Sequence, residues 1–174
     1  MVTGTRNSPR ILITGGTGFV GSHIVQQLHD RHPEYNLTVL DIQPRAVWKQ
    51  PDAKIKYIQA NIANAEEVFK AITHASPYLI VHTAGVVPAG TARYGRRERD
   101  VVFDVNVNGT RNVLDAAKKC GAKAFIYTSS CTIITDDSRN DYPNMKETLP
   151  IPTSSLIYGQ SKASPPATGY NHVC

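Results

Sequence analysis

Short apolar runs alternate along this chain with longer stretches in which apolar residues recur every three or four positions. The runs predict strands, and the longer stretches predict helices with one buried face. Such alternation is typical of a doubly wound α/β protein, in which helices cover both faces of a mostly parallel sheet. The predicted strands are residues 10–14, 37–41, 55–60, 78–82 and 124–128, and the predicted helices are residues 19–28, 65–74 and about 99–119.

Three glycines follow the first apolar run at three-residue spacing and lead into the first helix. Gly15 permits a sharp turn after the strand, Gly18 lets a diphosphate approach the backbone amides at the helix N-terminus, and Gly21 lets helix and strand pack closely. Phe19 and Val20 open that helix. A glycine trio is not specific by itself, but the strand before it and the helix after it predict a dinucleotide site.

An acidic residue ends the second predicted strand. Asp41 lies twenty residues after Gly21, with Ile42 next to it. A carboxylate at this distance accepts hydrogen bonds from the adenosine ribose and repels a 2′-phosphate, so it favours NAD over NADP. The alternative is a glycine loop in an unrelated α/β protein, with Asp41 as a helix cap.

Other polar or small residues stand where predicted strands end. Asn61 has two interpretations: its amide pairs with an adenine edge, or it caps the helix at 65–74. Small residues at 83–85 would let the backbone lie against the nicotinamide-side ribose, whereas His82 is interpreted as a packed residue. Within the long helix, Asn106 is placed to orient a backbone group or a water, and Gly109 implies close packing or a functional contact.

A further group follows the last predicted strand. Tyr158 and Lys162 are four residues apart, so they share one face of a helix, and Ser130 stands at the strand end. We expect an ammonium beside the phenol, together with a cationic nicotinamide, to lower the pKa of Tyr158 and make it a general base. The implied reaction is oxidation of a secondary alcohol. The alternative is a loop tyrosine and a surface lysine.

Composition narrows the class of protein. The chain has 174 residues, a net charge of +5 and a pI near 9.2, but its basic residues are scattered and favour no nucleic-acid partner. Three cysteines without C-x-x-C spacing argue against a disulfide framework and a zinc site, and we expect no metal. With no signal peptide and no membrane segment in the sequence, we expect a cytoplasmic protein.

Taken in order, these motifs resemble the extended short-chain dehydrogenase/reductase family, and within it the 3β-hydroxysteroid dehydrogenase/isomerase branch that includes sterol-4α-carboxylate 3-dehydrogenases. The resemblance implies a Rossmann fold, NAD as cofactor, a steroid or sterol substrate and a homodimer, with longer relatives at the endoplasmic reticulum membrane. It implies catalytic roles for Ser130, Tyr158 and Lys162. It implies that the NAD site contains Gly15, Gly18, Phe19, Val20, Gly21, Asp41, Ile42, Asn61, Ile62, Thr83, Ala84, Gly85, Asn106, Tyr158 and Lys162.

The resemblance ends soon after Lys162. We expect a flexible leader at 1–9, an NAD-binding domain at 10–163 and a tail at 164–174 that is unlike the family, because Pro165 and Pro166 end any helix there. The chain would then lack the usual C-terminal strands and substrate domain, keep the NAD cradle and have little or no turnover. Two other functions stay open: a nucleotide-sugar epimerase or dehydratase, and a non-catalytic dinucleotide-binding fragment.

Overall fold

Five strands lie side by side in one parallel sheet in the computed structural model, which describes residues 8–43, 54–88, 96–133, 146 and 156–164. The strands are β1 (Arg10–Thr14), β2 (Asn36–Asp41), β3 (Ile55–Gln59), β4 (Leu79–His82) and β5 (Ala124–Tyr127). Their order across the sheet is β3-β2-β1-β4-β5. The predicted doubly wound α/β fold is therefore confirmed, with strand ends that differ from the prediction by one residue. The expected leader at 1–9 and tail at 164–174 fall almost entirely outside the described residues.

Helices cover both faces of the sheet. They are α1 (Phe19–Arg31), α2 (Ala65–Ala75), α3 (Arg96–Phe103), α4 (Thr110–Lys119) and α5 (Ile157–Ala163). Val25 of α1 packs with Ile13 and Val39 on one face, while α2 and α4 enclose a second core on the other. These strands read as nearly continuous apolar runs because both of their faces are buried. Within the described ranges, no helix has the length and apolar character that a bilayer span requires.

The long predicted helix begins at Arg96 and is interrupted by a π-helical segment, Asp104–Gly109, that joins α3 to α4. Gly109 ends this segment, and a Cβ there would lie 2.8 Å from the side chain of Ile62. Real Cβ atoms do not approach so closely, so the glycine permits α4 to pack against the loop after β3. Close packing, which is one of the two explanations that the sequence suggests for Gly109, therefore accounts for this glycine.

The chain leaves β3 at one edge of the sheet and re-enters at β4, on the other side of β1. The strand order thus reverses between β1 and β4. In sheets of this type, ligands bind beyond the carboxyl ends of the strands at this point. The glycine turn, the loop after β4 and the residues after β5 all lie at that end.

Candidate functional site

The glycine turn after β1 has a backbone that only small residues permit. Gly15 adopts a φ of +68°, and a Cβ on it would lie 2.7 Å from the backbone of Ala84. A Cβ on Gly21 would overlap the Gly15 carbonyl oxygen. At Gly18, by contrast, a Cβ would meet only that same oxygen, at 3.2 Å. The tight turn therefore leaves no space for a side chain at Gly15 or Gly21, whereas the space beside Gly18 is open.

The N-terminus of α1 begins at this open space. Gly18 is the N-cap residue, no side chain caps the helix, and its first turn contains no acidic residue. The first amides of a helix lack intrahelical acceptors and carry a partial positive charge, which favours an anion. Phe19 and Val20 point into solvent, with 82% and 49% of their surfaces exposed, so they can contribute to such a site through their backbone amides.

Asp41 faces the same turn. Its carboxylate accepts hydrogen bonds from the backbone N–H of Thr17 at 3.0 Å and from that of Gln43 at 3.1 Å. The sequence interpretation overlooked Thr17, since a residue that acts through its backbone leaves no side-chain signal. It also overlooked Gly16, where a Cβ would meet Val39 at 2.8 Å. Asp41 is thereby held beside the glycine turn.

A cavity of about 340 Å³ extends from the glycine turn along the strand ends. The predicted NAD-site residues that line it are Gly15, Gly18, Asp41, Ile42, Asn61, Ile62, Thr83, Ala84 and Gly85, and they are joined by Thr17, Leu40, Gln43, Ala60, Val86 and Val105. An open helix N-terminus next to a carboxylate, with apolar walls beyond, fits a diphosphate, a ribose and a flat base in that order.

The structure corrects one interpretation of Asn61. The residue that caps α2 is Asn64, whose side-chain oxygen accepts from the N–H groups of Glu66 and Glu67. Asn61 lies three residues earlier, and its side-chain oxygen accepts from Ala63 N–H at 3.0 Å. The cap interpretation of Asn61 is wrong: α2 begins at Ala65, as predicted, and the residue directly before it is Asn64. Asn61 instead stabilises the turn that follows β3, beside the cavity that it lines.

Asn106, on the π-helical segment, does not line the cavity itself. Its side chain pairs with both backbone groups of Val86, accepting from N–H at 2.8 Å and donating to C=O at 3.0 Å, and also donates to Ser161 Oγ at 2.9 Å. It is 1% exposed. Asn106 thus orients the backbone that follows β4, which is one of the two roles expected for it.

Ser130, Tyr158 and Lys162 come together at the end of β5. The Ser130 hydroxyl lies near enough to the Tyr158 phenol to influence its pKa. Lys162 Nζ lies 5.9 Å from the centre of the Tyr158 ring, 4.8 Å from that of Tyr127, and donates to the Thr128 carbonyl at 2.9 Å. Lys162 is only 6% exposed, so it is not a surface lysine. Strand β5 and helix α5 therefore bring three distant residues within reach of one small molecule.

The electrostatics of this group differ from the expectation. Burial raises the pKa of Tyr158, and the interaction with Ser130 acts in the opposite direction but does not prevail. Burial also lowers the pKa of Lys162 to about 8. The expected lowering of the phenol pKa is therefore not produced by the residues of this chain. The ammonium is held closer to Tyr127 and to the Thr128 carbonyl than to the phenol.

His82, at the end of β4, is buried as predicted, with 1% of its surface exposed. Its ring contacts Thr14 Oγ1 at 2.7 Å and Thr110 Oγ1 at 3.0 Å. Burial lowers its pKa to about 3, with a further contribution from the charge of Lys162. His82 is thus neutral at physiological pH. Among the described residues no cluster of three or more His, Cys, Asp or Glu side chains is arranged to hold a metal ion.

Comparison with known proteins identifies the family. The model of the 3-beta hydroxysteroid dehydrogenase/isomerase family matches residues 12–165. The chain belongs to this family. Among its relatives are the decarboxylating sterol-4-alpha-carboxylate 3-dehydrogenase of Saccharomyces cerevisiae, at 33% identity over 88% of this chain, and human 3 beta-hydroxysteroid dehydrogenase type 7, at 35% over 74%.

This 3β-hydroxysteroid dehydrogenase family member spans less than half of those relatives, 43% of the yeast protein and 34% of the human one. Among solved structures, it resembles a Thermus thermophilus UDP-glucose 4-epimerase in complex with NAD, with a TM-score of 0.74 and 26% identity over 88% of this chain and 47% of the epimerase. The solved structure shares the fold described above.

Proposed function

We propose that this chain binds NAD and forms the cofactor-binding part of a dehydrogenase that oxidises the 3β-hydroxyl of a sterol or steroid. The observation that carries the proposal is a single cavity bordered by an open helix N-terminus and by the clamped carboxylate of Asp41, with Lys162 close by. Gly85 lines the cavity next to Lys162, since a Cβ built on Gly85 would lie 3.6 Å from Lys162 Nζ.

Each border of the cavity suits one part of NAD. The amides beside Gly18 would bind the diphosphate, Asp41 the adenosine ribose, and Asn61 with Ile62 the adenine. Residues 83–85 and Lys162 would lie along the nicotinamide ribose. A 2′-phosphate would meet the Asp41 carboxylate, which favours NAD over NADP. Bound NAD would supply the hydride acceptor and a positive charge.

The chain's own residues would handle the proton. Ser130 would hold the substrate oxygen, and Tyr158 would accept the hydroxyl proton as the carbinol carbon is oxidised to a carbonyl. Because burial raises the pKa of Tyr158, the phenol needs a nearby positive charge to act as a base near neutral pH. Lys162 and the oxidised cofactor are placed to provide that charge.

The sterol substrate is inferred from the family and from the named activities of the relatives. A second function is favoured by one observation, the likeness to an epimerase at 26% identity. In that alternative the same cofactor site would serve a nucleotide sugar. A third is NAD binding without catalysis, which agrees with the expectation of little turnover.

The purified 174-residue chain tests the proposal. NAD binding is measured by calorimetry for the wild type, for Asp41→Ala and for Asp30→Ala, an acidic residue on α1 that serves as the matched control. We expect Asp41→Ala alone to weaken NAD binding, by about tenfold, since a hydrogen bond to a charged group contributes ~1.5–3 kcal/mol. An unchanged affinity in Asp41→Ala, or no binding by the wild type, would refute the cofactor assignment.

Substrate class is tested by NADH fluorescence with a 3β-hydroxysteroid and its 3α-epimer, and by product analysis with UDP-glucose, because conversion of a sugar to its epimer leaves no net NADH. Because little turnover is expected of this chain, we expect only a small amount of NADH, formed from the 3β-hydroxysteroid alone and lost in Tyr158→Phe. Turnover of the nucleotide sugar would favour the epimerase alternative, and NAD binding without any NADH would favour the non-catalytic one.

A further inference from the structure

A network of buried hydrogen bonds runs beneath the candidate site, and all of its links join side chains except the one from Thr110 Oγ1 to the backbone carbonyl of Asn106. It links Thr14 of β1, His82 of β4 and Thr110 of α4, and continues through Asn106 to Ser161 of α5. Each of these five side chains is at most 1% exposed. These buried polar groups must therefore form hydrogen bonds with one another, because water does not reach them.

The proton positions follow from the hydroxyl groups, each of which has one hydrogen to donate. Thr110 Oγ1 donates to the Asn106 carbonyl at 2.6 Å, so toward His82 Nε2 it can only accept. Nε2 therefore carries the ring proton. Since the ring is neutral, Nδ1 is an acceptor, and it receives the hydrogen of Thr14 Oγ1 at 2.7 Å.

Both ends of this hydrogen-bond network reach the candidate site. At one end, Thr14 Oγ1 accepts from the backbone N–H of Ala84 at 3.4 Å, beside the glycine turn. At the other end, Asn106 donates to Ser161 Oγ at 2.9 Å, and Ser161 Oγ donates to the Tyr158 carbonyl at 2.8 Å. From the Ala84 N–H to the backbone carbonyl of Asn106, each group donates its hydrogen bond to the next group in the network. The side-chain amide of Asn106 then connects the network to α5.

We propose that His82 is a positioning residue, fixed as the neutral tautomer with its proton on Nε2, that joins the cofactor turn to the helix carrying Tyr158 and Lys162. The link to NAD rests on the proposed function, whereas the tautomer of His82 and the hydrogen-bond connection are properties of the protein without any ligand. Helix α5 has only seven residues, too few for stability by itself, so its position depends on such contacts. Loss of a link would move the cofactor turn and the catalytic residues together.

The tautomer is tested first, by NMR of the intact chain labelled with ¹⁵N-histidine, without any ligand. His82→Gln removes one signal and so assigns it. We expect that signal to show a bare Nδ1 and a protonated Nε2, unchanged between pH 8 and pH 5. A protonated Nδ1, or an averaged mixture of tautomers, would overturn the proposal.

The connection is tested with Thr110→Val, which removes the acceptor for Nε2 and keeps the side-chain shape. We expect His82 to lose its single tautomer, the Ala84 amide signal to shift, and NAD affinity to fall about tenfold, as for a buried donor left unpaired. Thr110→Ser should restore all three. Thr73→Val, a helical threonine outside this chain of bonds, is the control and should change none.

Unchanged His82 and Ala84 signals in Thr110→Val would overturn the proposal. If that variant does not fold, Thr14→Ser and Thr14→Val provide the same comparison from the other side of the ring. Wild-type protein that shows the expected tautomer but binds no NAD would refute the proposed function and leave the place of His82 established.

Discussion

Replacing Lys162 by methionine separates the contribution of this residue to chemistry from its effect on stability. Burial lowers the pKa of Lys162 from 10.5 to about 8, so at pH 7 the folded state holds a charge that it disfavours. A shift of this size corresponds to roughly 3 kcal/mol, at 1.36 kcal/mol for each pKa unit. Because the folded-state pKa is the lower one, this cost is present below pH 8 and is relieved as the pH rises toward 10.5.

The prediction concerns how the difference between variant and wild type depends on pH. Lys162→Met removes the disfavoured charge, so relative to the wild type it should gain more stability at pH 7 than at pH 10, by roughly 2–3 kcal/mol. The lost hydrogen bond to the Thr128 carbonyl offsets part of the gain. The same variant should form no NADH.

The assay is urea unfolding followed by circular dichroism, at both pH values. Lys56→Met, at an exposed lysine of β3, is the matched control. A difference between Lys162→Met and the wild type that is the same at pH 7 and pH 10 would refute the reasoning, because it would mean that the Lys162 ammonium is not disfavoured in the folded protein.

Three further predictions concern other parts of the site. Gly21→Ala should lower the free energy of unfolding by about 1–3 kcal/mol in urea titrations, because its Cβ would overlap the backbone of the glycine turn. Gly18→Ala should remain folded and lose NAD affinity in calorimetry. The opposite ranking of the two variants in either assay would contradict the geometry. Asp41→Asn should reduce the preference for NAD over NADP, as competition binding would show, and an unchanged ratio would argue against its contact with the ribose. His82 has a pKa of about 3 when folded and 6.5 as its ordinary value, so its contribution to stability should be lost as the pH falls below 6.5; acid unfolding of His82→Phe should lack that component.

Local patterns in the sequence suffice for the order of elements. Apolar runs of strand length, separated by helical periodicity, predict a parallel sheet covered on both faces, since each run must bury both of its sides. The glycine turn is also legible, because a positive φ at Gly15 and the close approach at Gly21 exclude most other residues. Spacing alone indicates Tyr158 and Lys162 on one helical face.

Other features depend on residues that are distant in sequence. Thr17 holds the Asp41 carboxylate through its backbone, and Gly16 is required by the side chain of Val39. Asn64 rather than Asn61 caps α2, because Asn64 is the residue directly before the first helical residue, while the Asn61 side chain is engaged by Ala63 N–H. Such contacts are set by how the elements pack, and no short segment carries that information.

The sequence by itself determined which residues the site would need, because glycine, carboxylate, phenol and ammonium groups each have a chemistry that their spacing reveals. Only the tertiary structure decided their ionisation and orientation. The pKa of Tyr158 is raised, and the proton of His82 is directed to Nε2, by burial and by hydrogen-bond partners brought from other strands and helices. Desolvation and donor geometry are properties of the assembled core, and they arise only when the chain has folded.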